Sequence, residues 1–65
     1  MIAVIETIDN KVQGVHLHAD REKATKAAEE LCDELQLDPV HAISDLRARG
    51  FYEECGYRIT ISTTD

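Results

Sequence analysis

Basic residues are scarce in this chain: seven Lys and Arg stand against thirteen Asp and Glu, for a formal charge of −6. Binding to a nucleic-acid backbone or an anionic membrane surface needs a basic stripe, and none can be drawn, so direct contact with either is not expected. Cysteine is limited to Cys32 and Cys55. Two are too few for a disulfide scaffold, and their separation is too long for a metal knuckle. No apolar run approaches the roughly 20 residues of a membrane span, and the segment before Glu6 lacks the charged start and long apolar stretch of a secretion signal. The chain therefore reads as cytoplasmic, with both thiols reduced. Three scattered glycines make no phosphate loop, and no serine stands in a nucleophile turn. Cys55 adjoins Glu53 and Glu54, whose charges oppose the thiolate a nucleophile needs. Neither an enzyme activity nor a cofactor is expected.

Sixty-five residues make a single domain, residues 1–65, that buries only about 60% of its unfolded surface. So thin a core often draws support from oligomerisation or a partner.

Alternation marks the strands. Ile2 to Ile8 and Val12 to Ala19 are rich in β-branched residues, and Asp9-Asn10 between them fits a two-residue hairpin turn. Such a turn pairs Ile8 with Lys11, Val4 with Val15 and Ile2 with Leu17, which gathers four aliphatic side chains on one buried face. Helix signals follow. Asp20 is placed as an N-cap, and Ala24, Ala27, Ala28, Leu31 and Leu35 form one apolar stripe over a helix predicted from Arg21 to Gln36. Asp38-Pro39 supplies the cap and first residue of a second helix running to Arg49, with Gly50 as its stop. Tyr57 to Ile61 alternates again. Phe51-Tyr52 either begin this last strand or precede a bulge or turn at Glu53 to Gly56. The expected fold is α+β: a ββααβ domain whose three-stranded sheet, in the order 2-1-3, carries both helices on one face.

On that arrangement the other sheet face shows Ala3, Ile5, Thr7, Val12, Gly14, His16, His18, Arg58 and Thr60. It is too apolar to be wholly comfortable in water, and Ala3, Ile5, Val12, His16 and His18 become candidate partner-binding residues. His16 and His18, two apart on a strand, also offer two imidazoles on one side. A metal would need further ligands, which a second copy of the chain could bring. A third feature is the acidic run Glu29, Glu30, Asp33 and Glu34 at the C-terminal end of the first helix, where the helix dipole disfavours negative charge. Two readings of function follow. One is a non-enzymatic interaction module, a homodimer or the binder of a protein partner, that uses the open sheet face. The other is an acidic inhibitor or antitoxin-like protein that occupies a basic surface on a nucleic-acid enzyme. Leu31 and Leu35, the large aliphatics of the first stripe, are expected to anchor the core.

Overall fold

The computed structural model describes residues 1–63. Its elements are β1 (Ile2–Ile8), β2 (Lys11–His18), α1 (Arg21–Glu34), α2 (Pro39–Arg49), β3 (Phe51–Glu54) and β4 (Tyr57–Thr63). All strand pairs are antiparallel, in one sheet of order β2-β1-β4-β3. The α+β class holds, and the strand that begins at Tyr57 lies beside β1 as expected. The sheet has four strands rather than three, because Phe51–Glu54 forms a strand of its own.

Both hairpins close on residue pairs in the left-handed region. Asp9 and Asn10 have φ of 50° and 67°, and Cys55 and Gly56 have φ of 50° and 86°. Two consecutive positive φ values match the right-handed twist of the flanking strands, so each hairpin needs only two loop residues. The turns meet at one end of the sheet, where the Asp9 N–H donates to the Gly56 carbonyl at 2.9 Å.

The register of β2 departs from the simple hairpin. Ile8 pairs with Lys11 and Thr7 with Val12, and then Glu6 pairs with Gly14, which leaves Gln13 as an extra residue. This bulge shifts the rest of the strand by one position, so Val4 faces His16 and Ile5 faces Val15. A one-residue shift exchanges the two faces of a strand. Gly14, His16 and His18 therefore lie on the helix side, not on the open face, while Val15 and Leu17 lie on the open face, not in the core. The expected pairing placed Val15 and Leu17 on the buried face of the hairpin. β2 is instead an edge strand, and the core is centred on β1 and β4.

That core contains Val4, Ile59 and Ile61 from the sheet, Ala24, Ala28 and Cys32 from α1, Ala42 and Leu46 from α2, with Leu37 and Tyr52. Its largest wholly buried side chains are Leu46, Ile59, Val4 and Cys32. Leu31 and Leu35 are only partly buried and pack against its margin. The stripe of α1 is therefore centred on Ala24, Ala28 and Cys32. These small residues let the helix lie close to the sheet, and the large aliphatic that fills the centre comes from α2.

The helix ends follow their side chains. Asp20 accepts from the Lys23 N–H at 2.9 Å, satisfying an N-terminal donor that the helix itself cannot. α1 stops at Glu34, two residues earlier than expected. The Gln36 N–H donates to Asp33 O at 3.0 Å and the Leu37 N–H to Cys32 O at 2.9 Å, with Gln36 at φ 59°. These paired bonds close the helix and turn Leu37 into the core. Gly50, at φ 81°, ends α2.

The cap of α2 adds a titrating pair. Asp38 Oδ1 accepts from the Val40 N–H at 3.0 Å, while Oδ2 lies 2.7 Å from His41 Nδ1. The imidazole bond holds the Asp38 carboxyl below its ordinary 3.8, and the same bond lifts His41 above its ordinary 6.5. A lowered carboxyl stabilises the fold above 3.8 and loses that effect as pH falls through its folded value; a raised imidazole stabilises below 6.5 and loses it as pH rises through its folded value. The melting temperature of wild type minus that of His41→Ala should therefore be greatest between about pH 4 and 6.5 and shrink above that window. A difference that does not change with pH would show that the pair contributes nothing.

Candidate functional site

Both helices cover one side of the sheet, and the opposite side stays open. On it β1 presents Ala3, Ile5 and Thr7, β2 presents Val12, Val15 and Leu17, and β4 presents Arg58, Thr60 and Ser62. Ala3 is 1% exposed because its neighbours enclose it, and Ile5 is half-buried. Val12, Val15 and Leu17 are 63%, 56% and 58% exposed. Among the large aliphatics of the described sheet these three are the most exposed, and they form one strip along β2.

The two lateral ends of this face differ. At the β3 side the Arg49 and Arg58 guanidiniums lie over the Phe51 ring, 4.3 and 4.9 Å from its centroid, and Arg58 also pairs with Glu53. That end is covered by charged groups, which keep an apolar ring hydrated at its rim. Among the described residues the β2 end has no such cover.

Among the described residues the outer edge of β2 is also unpaired. In a two-residue hairpin the flanking residues, here Ile8 and Lys11, exchange both backbone bonds, and the pairs then alternate. On β1, Ile8, Glu6, Val4 and Ile2 thus direct their N–H and C=O groups at β2, and Gly14, His16 and His18 answer them. Val15 and Leu17 turn theirs outward. The apolar strip and a free row of backbone donors and acceptors occur together on one strand, the arrangement that lets another strand add to a sheet.

On the helix side, His16 and His18 share a cavity of about 190 Å³ with Val4, Ala27, Leu31, Glu30 and Glu34. The His18 Nε2 is buried there with no hydrogen-bond partner among the described residues. Among those residues no three His, Cys, Asp or Glu side chains come together to hold a metal ion.

The acidic run divides. Glu29 accepts from Arg47 of α2 at 3.2 Å and so ties the helices together. Glu30 and Glu34 flank the histidine cavity, and Asp33 is exposed. The placement of charge against the dipole of α1 therefore has a partial structural explanation in the Arg47 pair.

Cys32 is buried, and burial, aided by Glu29 and Glu54, pushes its thiol up to about 11. Such a thiol is inert at neutral pH. Cys55 is exposed in its turn.

The residues that sequence reasoning missed are Val15 and Leu17. Their signal was present: Val12, Val15 and Leu17 are spaced three and then two apart, the spacing that one bulge between them brings onto a single face. Comparison with family models, with curated proteins and with solved structures found no match.

Proposed function

We propose that this protein is a non-enzymatic interaction module that associates with a second copy of itself through β2. The observation that carries this reading is the exposure of Val12, Val15 and Leu17, each more than half accessible on the uncovered face. Three neighbouring aliphatics beside an unpaired backbone edge are a liability in a monomer, and natural sheets usually blunt such an edge with charge or proline. From Val12 to Ala19 this chain has neither, and this is its longest stretch without Asp, Glu, Lys or Arg. Charge selects the occupant. Two chains of −6 each repel over most of their surfaces, so a like copy can approach closely only where the surface is uncharged. The thin core of so short a chain gains from the added burial.

The acidic-inhibitor reading has less support. Glu29 is engaged with Arg47 and Glu53 with Arg58, so a basic partner would meet a smaller and more divided set of carboxylates than the linear run suggests.

Sedimentation over a micromolar concentration series is the test, with Leu17→Lys as the informative variant. Leu17 is 58% exposed, so the substitution should leave monomer stability within about 0.5 kcal/mol while abolishing the dimer. A wild type that stays at 7.3 kDa throughout, or a dimer indifferent to Leu17→Lys, would refute the proposal.

A further inference from the structure

We infer that the cleft between α1 and the end of α2 binds a small phosphate monoester through Arg21, Lys26 and Arg47. The site lies away from β2. One flank of α1, bearing Glu30, Leu31 and Glu34, faces the β2 histidines, and the opposite flank lines a cleft of about 390 Å³ with Leu46 at its base. That volume falls in the range of small-molecule sites, about 300–1,000 Å³, and exceeds what a bare phosphate ion fills.

Charge and hydrogen bonding point the cleft at an anion. The chain has only seven Lys and Arg, and Arg21, Lys26 and Arg47 all line this one cleft. Arg21 and Lys26 form no ion pair or side-chain hydrogen bond among the described residues. Lys26 stays unpaired although Glu22 and Glu30 stand one helical turn from it on either side, where pairing is easiest. Arg47 is held in place. Its Nε and Nη2 both donate to one Glu29 oxygen, Oε1, at 3.3 and 3.2 Å, which leaves Nη1 free to donate to a ligand. Glu22 and Glu29 also line the cleft, so its formal balance is three positive against two negative, a local surplus in a chain of −6. A phosphate monoester carries close to two negative charges at neutral pH and three acceptor oxygens. Guanidinium forks match those oxygens in pairs, an ammonium adds a point charge, and the half-buried Thr25 hydroxyl of the same cleft supplies a further donor. A carboxylate, with two oxygens and one charge, would leave donors unused.

The test follows backbone amide shifts by NMR at constant ionic strength and neutral pH while glucose 6-phosphate, inorganic phosphate, succinate and glucose are each titrated. Glucose 6-phosphate should shift the Thr25, Lys26 and Arg47 amides together, and glucose should shift none of them. Arg21→Gln and Lys26→Gln should each weaken glucose 6-phosphate binding at least about tenfold, as expected for a lost charge-assisted hydrogen bond. Lys23→Gln removes the same charge from a residue outside the cleft and should change binding by less than about twofold. All three positions are exposed, so the variants should keep the fold, with circular dichroism as the check. Amides of the cleft that do not move, or an equal loss in Lys23→Gln, would overturn the site. Succinate binding as tightly as glucose 6-phosphate would overturn the phosphate assignment, and inorganic phosphate binding as tightly would overturn the ester. None of these outcomes bears on the β2 contact, which lies on the other flank of α1.

Discussion

Leu46→Ala should leave most of the protein unfolded at room temperature. Leu46 is wholly buried, and it is the largest such side chain, standing where α2 meets both α1 and the sheet. Truncating a buried leucine costs about 2–5 kcal/mol, more when the surroundings cannot relax into the void. The helix side chains that share this core are Ala24, Ala28, Cys32 and Ala42, which are short and have little reach into a gap. A domain of this size holds about 3–5 kcal/mol in all, so the loss is comparable with the total. Urea denaturation followed by circular dichroism gives the comparison. Leu31→Ala, at the partly buried margin, should cost clearly less and leave a folded protein. A loss below about 1 kcal/mol for Leu46→Ala would mean that α2 does not pack as described.

Glu54→Ala should be the next most damaging change, at about 2 kcal/mol. A single carboxylate oxygen, Oε1, accepts from the Tyr52 hydroxyl and, at 3.1 Å, from the Asp38 N–H. The side chain therefore fastens the connection between α1 and α2 to strand β3, across the buried Tyr52 ring. Its removal leaves two donors unpaired, one of them on a side chain only 6% exposed, and an unsatisfied buried donor costs more than the bond itself contributes. Tyr52→Phe removes one donor and leaves the Asp38 bond in place, so it should be milder. The same contact has a spectroscopic signature. Hydrogen bonding to Glu54, with burial, pushes the Tyr52 phenol up to about 12 from 10.0. A phenol raised in the folded state contributes stability that is complete below 10 and lost as pH rises toward 12. In Glu54→Ala the absorbance titration of Tyr52 should move back toward 10. An unchanged titration would show that the bond does not hold in solution.

How much of this could be read from the chain depended on whether a residue's local chemistry decided its place. Asp20, Asp38-Pro39 and Gly50 each satisfy a helix end by their own geometry, and each was legible. The Asp9-Asn10 turn was legible for the same reason. Gln13 was not, because any residue can occupy a bulge and its position is decided by which face the rest of the strand must show. That single residue moved His16 and His18 to the helix side and brought Val15 and Leu17 to the open face. The Cys55-Gly56 turn was obscured by cysteine, an uncommon residue at positive φ, and with it the strand status of Phe51–Glu54. Leu46 was overlooked because Leu31 and Leu35 of the first helix were expected to anchor the core. A stripe of alanines on α1 marks a close approach to the sheet, and the volume must then come from another element. Of the candidate site, Ile5 and Val12 were placed on the open face correctly. Its exposed centre at Val15 and Leu17 appears only once the bulge is known.

Amide hydrogen exchange at β2, measured in dilute and concentrated solution, tests the edge contact most directly. The Val15 and Leu17 N–H groups point away from the sheet, while those of His16 and His18 already bond to β1. On concentration, Val15 and Leu17 should become protected together, as β2 pairs with its counterpart, and His16 and His18 should change little. Val15 and Leu17 amides that exchange equally fast at every concentration would contradict association through this edge.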